Sequence, residues 1–300
     1  MSEKAVITFL GTSATVPTVE RNHTSILLRY KEENILIDCG EGTQRQFRKA
    51  KLNMGKITRI LITHWHGDHV LGLPGVLQSL AMGEYRKTLY IYGPKGIKEF
   101  MMKLLDTFMF HRDYKIEVKE ATGKFFETPD FYLEAEKMTH LIPCNAYSFV
   151  EKEKIRIDGK KLKDAGIPSG PWIKNLKDGK NMTYKKKKYP AKKFIYREDG
   201  KKISFILDTS FNSKIIPFVK NSDLLICEST LGEELEAKAE KHGHLSSAQA
   251  AEIAMKSGSK KMIITHISQR YEKDKKKVLD ETKKIFRNSA LAEDLMSVEI

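Results

Sequence analysis

The feature that most constrains this chain is a dense group of metal-binding side chains directly after an apolar run. The stretch RILITHWHGDHVLGLPG, residues 59–75, places four potential ligands in six positions: His64, His66, Asp68 and His69. Where a buried strand ends, the chain leaves the sheet and can direct several side chains toward one point. Imidazole and carboxylate groups suit zinc. The pattern therefore predicts a metal site at a strand end rather than a chance group of polar loop residues.

Three later strands each end in one further potential ligand. His140 follows FYLEAEKMT, Asp208 follows ISFIL and His266 follows KMIIT. The resulting assignment has one ion bound by His64, His66, His140 and Asp208 and a second bound by Asp68, His69, Asp208 and His266. Asp208 is the candidate bridging ligand because one carboxylate oxygen can face each ion. Two cations about 3.5–4 Å apart lower the pKa of a shared water and stabilise both oxygens of a phosphodiester displacement.

The order of apolar segments predicts an α/β fold. Short apolar runs such as TLYIYGP and SDLLICEST are typical of buried strands, and NAYSFVEKEKIRID is expected to continue the same sheet. GIKEFMMKLLDTFMF and SSAQAAEIAMKSG have helical spacing. Strands with helices outside them indicate a sandwich of two mixed β-sheets flanked by helices. No domain boundary is evident, so residues 1–300 are expected to form a single domain.

Positive charge is concentrated in one segment of the chain. The formal net charge is +14, and residues 151–202 contain 18 Lys or Arg against 7 Asp or Glu. Residues 158–202 also lose apolar periodicity and gain Gly, Pro and Lys, which predicts a projecting or flexible insertion. Such asymmetry favours a polyanion-binding role over an ordinary solvated surface.

Cysteine usage and hydropathy exclude several classes of protein. Cys39, Cys144 and Cys227 lie far apart and form no C-x-x-C pair, which argues against a disulfide framework and against a thiolate zinc site. No run approaches the roughly 18 apolar residues of a membrane span, and the start lacks the apolar run of a signal peptide. We therefore expect a soluble, cytoplasmic protein that does not contact a membrane.

Whole blocks of the sequence resemble a known family. The H-x-H-x-D-H cluster with the later His, Asp and His is similar to the metallo-β-lactamase superfamily. Within it, FLGTSATVPTVERNHTSILL, ILIDCGEGTQRQ, MTHLIPCNAYSF and HGHLSSAQAAEIA resemble blocks of the tRNase Z family in the same order. The pair DCGEGTQ and THISQRY is the more specific signature, and the resemblance covers nearly the whole chain.

This resemblance implies a metallo-β-lactamase-type αββα sandwich, two Zn²⁺ per subunit with Mn²⁺ as an alternative, and a homodimer. It also implies a hydrolase, an endoribonuclease that cleaves the 3′ trailer from precursor tRNA after the discriminator nucleotide and leaves a tRNA 3′-hydroxyl. The family's ligand pattern falls on the seven residues above, and its general base falls on Asp68. Glu228 and His244 match a pair that assists the leaving oxygen. Asp38 matches an aspartate that supports a ligand histidine.

The same resemblance suggests RNA contacts. The family's first loop often reads P-x-K-x-R-N, which makes Arg21 a predicted RNA contact and places Val19 at the lysine position. Cys227 stands where many relatives have a histidine. The family also has a protruding arm that binds the tRNA elbow, and residues 158–193 match it in position. Its predicted phosphate contacts are Lys185, Lys186, Lys187 and Lys188.

Two other functions remain open on the sequence. A binuclear metallohydrolase of small phosphodiesters or esters would use the same metals but leaves the basic segment unexplained. A non-enzymatic RNA-binding protein with a relict site would explain the basic segment but not the presence of all seven ligands. These functions can be distinguished by comparing the rate of cleavage of structured RNA with the rate of hydrolysis of a small chromogenic phosphodiester.

Overall fold

The computed structural model describes residues 4–168, 170 and 172–300. Residues 169 and 171, which belong to the predicted basic insertion, lie outside the described residues, as do residues 1–3. Two compact units are present. The sandwich unit comprises the residues up to Phe126, Leu133–Phe149 and Lys202–Ile300; the lysine-rich unit comprises Glu127–Tyr132 and Val150–Lys201.

The first sheet of the sandwich unit has seven strands. They are β1 (Val6–Gly11), β2 (Ser25–Tyr30), β3 (Glu33–Ile37), β4 (Arg59–Leu61), β5 (Leu89–Gly93), β6 (Ile116–Glu120) and β18 (Ser297–Glu299). Their spatial order is β18-β1-β2-β3-β4-β5-β6. The pairs from β18 to β3 are antiparallel and those from β3 to β6 are parallel, so this sheet is mixed.

The second sheet also has seven strands. They are β7 (Gly123–Glu127), β8 (Phe131–Met138), β9 (Cys144–Glu151), β14 (Lys202–Ile206), β15 (Leu224–Glu228), β16 (Met262–Thr265) and β17 (Ser289–Leu291). Their order is β17-β16-β15-β14-β9-β8-β7. The pairs from β14 to β17 are parallel. Because the carboxyl ends of parallel strands lie at one edge, the residues that follow β14, β15 and β16 are brought together.

Helices cover the outer faces of both sheets. The helices of this unit are α1 (Thr43–Lys49), α2 (Gly67–Val70), α3 (Leu73–Met82), α4 (Ile97–Thr107), α7 (Ile215–Phe218), α8 (Glu236–Lys241), α9 (Ser247–Lys256) and α10 (Lys275–Ile285). One apolar cluster joins α1, α3 and α4 to the first sheet, and another joins α9 and α10 to β15 and β16. The predicted sandwich of two mixed β-sheets flanked by helices is confirmed.

Contacts between the two sheets position the loop after β4. The rings of Tyr30 and Phe149 meet edge to face at a centroid distance of 5.2 Å. The Tyr147 hydroxyl donates to the Ile62 carbonyl at 2.7 Å, and the Asn145 amide donates to the Thr63 carbonyl at 2.9 Å. These bonds tie the β4 end of the first sheet to β9 in the second.

The lysine-rich unit has short elements of its own. They are β10 (Lys154–Ile157), α5 (Gly159–Asp164), α6 (Trp172–Lys177), β11 (Met182–Tyr184), β12 (Lys187–Tyr189) and β13 (Ile195–Glu198). The expectation that KIRID continues the main sheet is wrong, because β10 pairs with β13 in a separate two-stranded sheet. A small core that includes Leu162, Leu176 and Phe194 packs these elements together.

None of the helices in the described part of the chain combines the length and the apolar character that a bilayer crossing requires.

Candidate metal centre

Five of the predicted ligands lie just beyond strand ends, and the other two lie in a short helix. His64 and His66 follow β4, Asp68 and His69 lie in the single turn of α2, and His140, Asp208 and His266 follow β8, β14 and β16. The structure brings these seven side chains into two groups that share Asp208. In each group the candidate ligand atoms lie within 4.8 Å of one another.

The first group contains three imidazoles and one carboxylate oxygen. His66 Nδ1 lies 3.0 Å from His64 Nε2 and 3.2 Å from His140 Nε2. Asp208 Oδ2 lies 3.6 Å from His64 Nε2. Four donor atoms of the types that zinc prefers thus converge on one point.

The second group is fully or almost fully buried. His69 Nε2 and His266 Nε2 lie 3.3 Å apart, and Asp68 Oδ2 lies 3.4 Å from each of them. Asp208 Oδ1 lies 3.4 Å from His69 Nε2 and 3.2 Å from His266 Nε2. Asp208 therefore presents one oxygen to each group, which is the arrangement that a bridging ligand needs.

The outer nitrogens of two imidazoles have hydrogen-bond acceptors, which leaves the inner nitrogens available to carry lone pairs. His69 Nδ1 donates to Asp38 Oδ2 at 2.6 Å, and His140 Nδ1 donates to the Gly243 carbonyl at 2.8 Å. A neutral imidazole that donates from Nδ1 has an unprotonated Nε2. Asp208 Oδ1 is buried and has no hydrogen-bond partner among the described residues. Buried lone pairs that face one another are unfavourable unless a cation lies between them, so these residues fit two metal ions.

Asp38 supports two of the candidate ligands. Its carboxylate accepts from the Thr63 amide and the Thr63 hydroxyl, both at 2.7 Å, and from His69. Because the hydroxyl proton of Thr63 goes to Asp38, Thr63 Oγ1 accepts from His64 Nδ1 at 3.0 Å. Asp38 is fully buried and has a left-handed backbone with φ 55°. The surrounding hydrogen bonds maintain this costly conformation.

The electrostatics of the cluster favour ionised carboxylates. Burial alone would raise the pKa of Asp68, but in the metal-free protein the hydrogen bonds and charges of His266 and His69, when these imidazoles are protonated, hold it well below its ordinary value. The pKa of buried Asp208 is likewise lowered by the surrounding imidazoles, with His266 and His69 foremost. Both side chains are therefore anionic at neutral pH, as metal ligands must be.

Glu228 and His244 form a hydrogen-bonded pair next to the second group. Glu228 Oε1 accepts from the Thr209 amide at 2.8 Å and from His244 Nδ1 at 3.2 Å. Burial opposes the charged imidazole, but the carboxylates of Glu228 and Asp208 outweigh it and raise the pKa of His244 to about 9. A histidine in this state can donate a proton at neutral pH.

A cavity of about 440 Å³ gives access to the cluster. His66, Asp68, His140, Asp208 and His244 line it, together with Thr15, His23, Leu71, Leu141 and His242. The exposed side chains of Leu71 and Leu141 give it apolar walls. A phosphodiester that enters the cavity would meet both the candidate ligands and the Glu228–His244 pair.

Arg21, a predicted RNA contact, is buried in an ion pair. Its side chain is 4% exposed. Nε and Nη2 donate to Glu272 Oε2 at 2.9 and 2.7 Å, and Nη1 donates to the Ile267 carbonyl at 2.9 Å. The guanidinium therefore ties the first loop to the segment after His266 and has little capacity left for a phosphate. Val19, at the family's lysine position, is fully exposed, and Cys227 is buried in the apolar cluster beneath α9.

Gly243 is a site residue that the sequence reasoning missed. Its φ is +76°, and a Cβ added there would lie 2.6 Å from His140 Nδ1. The only sequence signal is a glycine between two histidines in HGHLSS. Two independent constraints thus require glycine beside a candidate ligand.

We expect Gly243→Ala to displace His140 and weaken metal binding about 10-fold, because the ring must move away from the new methyl group. Zinc titration of metal-free protein measures this change. Gly179→Ala is the matched control, since Gly179 has φ +72° but open space around its Cβ. Both variants should lose about 1 kcal/mol of unfolding free energy from backbone strain, and equal zinc affinities would contradict the expected clash.

The four predicted lysine contacts occupy the tip of a hairpin in the lysine-rich unit. Lys185 and Lys186 form the turn between β11 and β12, with φ of 46° and 64°. Two central residues with positive φ are typical of the type I′ turn. All four lysines are exposed, and no carboxylate among the described residues pairs with them. In the same unit, Glu153 is paired with Arg197 and Asp158 with Lys161. Unneutralised positive charge is therefore concentrated at this tip.

The chain is similar to several known proteins. Residues 5–149 match the model of a family described as anti-Pycsar protein Apyc1. A protein named Ribonuclease Z from Streptococcus agalactiae is 39% identical over 307 residues, which cover 98% of this chain and 99% of the relative. Another Ribonuclease Z, from Nanoarchaeum equitans, is 39% identical over 267 residues, which cover 89% of this chain and 84% of the relative. The crystal structure of human tRNase Z, short form, superimposes with a TM-score of 0.72 at 27% identity and covers 98% of both chains.

Proposed function

Because the chain belongs to the ribonuclease Z family, we propose that it is a two-metal endoribonuclease that removes the 3′ trailer from precursor tRNA. The cut falls after the discriminator nucleotide and leaves a 3′-hydroxyl on the tRNA. The observation that carries this proposal is the position of Asp208, which presents one oxygen to each of two histidine groups. Zn²⁺ is the metal that this donor set favours, with Mn²⁺ as the alternative.

Two bound divalent ions would lower the pKa of the attacking water and neutralise charge on the phosphate. The side chains of the protein supply the remaining chemistry. Asp68 lines the cavity as a carboxylate and is placed to take the proton of the attacking water. His244 lines the same cavity and donates a proton to the departing 3′-oxygen of the tRNA. Glu228 holds His244 in position through Nδ1 and favours its charged form.

The lysine-rich unit supports a proposal that the protein selects its RNA substrate by shape. We propose that Lys185–Lys188 contact phosphates of the tRNA. Such contacts increase the affinity for RNA and depend on the geometry of its backbone, but not on its base sequence. This suits an enzyme that must accept many tRNAs of one shape.

Two further parts of the proposal rest on the family alone. The relatives named Ribonuclease Z support a cytoplasmic location, which we propose. We also propose that the protein is a homodimer. Light scattering tests this by measuring the mass of the protein in solution. A dimer has twice the 34.4 kDa of one chain.

The decisive experiment compares two substrates of the purified protein. We expect a 3′-extended tRNA to be cut at a single site, with a 3′-hydroxyl on the tRNA product and a 5′-phosphate on the trailer. A small chromogenic phosphodiester should be hydrolysed at least about 10³-fold less efficiently, because it makes none of the remote phosphate contacts. Preference for the small diester would favour the alternative of a small-molecule metallohydrolase.

Metal removal is expected to abolish cleavage and to lower thermal stability. Without cations, the buried lone pairs of the two groups face one another unsatisfied. Ligands that bind only the folded state stabilise it by about 2.7 kcal/mol at 100 times their Kd. Calorimetry and cleavage assays on chelated protein, before and after addition of Zn²⁺ or Mn²⁺, measure both effects. Full activity in the metal-free protein would rule out the proposed mechanism.

A further inference from the structure

Thr230 lies between the second metal-binding group and the Glu228–His244 pair. Its hydroxyl oxygen is 2.5 Å from Glu228 Oε2, 2.9 Å from His266 Nδ1 and 3.4 Å from His244 Nδ1. The side chain is 7% exposed, and Glu228 and His266 are fully buried. One hydroxyl group therefore contacts a candidate metal ligand and both members of the proton-donating pair.

The directions of these hydrogen bonds follow from the chemistry of the partners. A carboxylate only accepts, so the single hydroxyl proton of Thr230 goes to Glu228. The oxygen of Thr230 can then only accept from His266, which must carry its proton on Nδ1. The remaining nitrogen, His266 Nε2, is left with a lone pair, and it faces Asp68, Asp208 and His69. The hydroxyl thus selects the histidine tautomer that can bind metal.

The same arrangement occurs at the first group of ligands. There the Thr63 hydroxyl donates to Asp38 and accepts from His64 Nδ1. In each group, therefore, a threonine hydroxyl that donates to a carboxylate accepts from one histidine and keeps the proton of that histidine on Nδ1. Thr63 and its histidine are adjacent in sequence, whereas Thr230 and His266 are 36 residues apart. The contact between Thr230 and His266 can consequently be recognised only from the three-dimensional structure.

The backbone at His266 also depends on its surroundings. His266 has φ 58°, a left-handed conformation that is uncommon for residues other than glycine. The imidazole is held there by its surroundings, and Thr230 is the hydrogen-bond partner of its outer nitrogen.

We propose that Thr230 is a positioning residue for the reaction: its hydroxyl fixes the metal-binding tautomer of His266 and at the same time orients Glu228 toward His244. The proposal deepens the proposed function and rests on it. Loss of the hydroxyl would weaken metal binding at the second group and slow the chemical step together, because one hydrogen-bonded atom serves both. Binding of the RNA substrate would be unaffected.

The test compares three variants of the full-length protein. Thr230→Val keeps the size and branching of the side chain but removes the hydroxyl, and Thr230→Ser keeps the hydroxyl. Thr265→Val is the matched control, because the Thr265 hydroxyl is buried one residue before His266 and has no hydrogen-bond partner among the described residues. Zinc affinity is measured by titration of metal-free protein, and kcat and KM are measured on one 3′-extended tRNA.

For Thr230→Val we expect one of two zinc affinities to fall 10- to 100-fold and kcat to fall by a similar factor, with KM within about 2-fold. Thr230→Ser and Thr265→Val should remain within about 3-fold of wild type in both measurements. A thermal melt of the zinc-loaded proteins verifies folding. Selective ¹⁵N labelling of histidine in the metal-free proteins should show the Nδ1-protonated form of His266 in wild type and its loss in Thr230→Val.

Three outcomes would overturn the inference. Wild-type zinc affinity in Thr230→Val would show that the hydroxyl does not position His266. Equal losses in Thr230→Ser and Thr230→Val would mean that packing of the methyl group, rather than the hydroxyl, matters. A wild-type protein that bound no zinc and cut no RNA would instead refute the proposed function itself, and the inference with it.

Discussion

Asp68→Ala is expected to lower kcat for precursor-tRNA cleavage by at least about 10³-fold while the Kd for the RNA stays within a few fold. The substitution removes a candidate ligand of the second group and the carboxylate that we propose as the general base. Positioned acid–base groups alone contribute about 10²–10⁴-fold. Single-turnover cleavage and filter binding on the same RNA measure the two quantities.

The control for this variant is Asp106→Ala, which removes an exposed aspartate from α4. It has the same change in charge and should cleave at the wild-type rate. Normal cleavage by Asp68→Ala would contradict the proposed mechanism. It would favour the alternative of a non-enzymatic RNA-binding protein, with the cleavage coming from a contaminating nuclease. Loss of RNA binding together with cleavage would show that the residue acts in substrate affinity.

Removal of charge from the hairpin tip is expected to raise KM for precursor tRNA by about 10- to 100-fold and to leave hydrolysis of a small phosphodiester unchanged. The variant Lys185→Asn, Lys186→Gly, Lys187→Gln, Lys188→Gln keeps residues suited to a type I′ turn. A deletion of residues 160–190 would be less informative, because it removes Leu162, Leu176 and Met182 from the core of the unit. Each lost phosphate contact should also reduce the slope of log Kd against log salt by about 0.7–0.9.

The matched control replaces four exposed lysines of the sandwich unit with glutamine: Lys273, Lys276, Lys283 and Lys284. Net charge falls equally in both variants, so a general loss of electrostatic attraction affects them alike. Equal increases in KM would argue against a specific role for the hairpin. Equal losses on the tRNA and on the small phosphodiester would place the defect in the active site instead.

Much of the metal centre could be predicted because its ligands occur in a regular sequence context. A buried strand ends and a ligand follows, which is visible for His140, Asp208 and His266 without any structure. The convergence of these strand ends is a property of parallel β-strands in general. The sequence also indicated the bridging role of Asp208, since a carboxylate has two oxygens to offer.

Other features were hidden because they depend on contacts between distant segments. The burial of Arg21 is set by Glu272, a partner 251 residues away. The requirement for Gly243 comes from the position of His140, and the role of Thr230 comes from His266. In the lysine-rich unit the strands and helices are three to six residues long, too short for a periodic apolar pattern to reveal them.

The order of the ligands along the chain restricts when the enzyme can become active. The first ligand is residue 64 and the last is residue 266 of 300, so a growing polypeptide lacks a complete centre until nearly nine-tenths of it has been synthesised. Closing a loop of this length carries an entropic penalty that only the assembled sandwich can offset. We therefore expect a chain truncated before residue 266 to lack a complete second group and not to hydrolyse RNA.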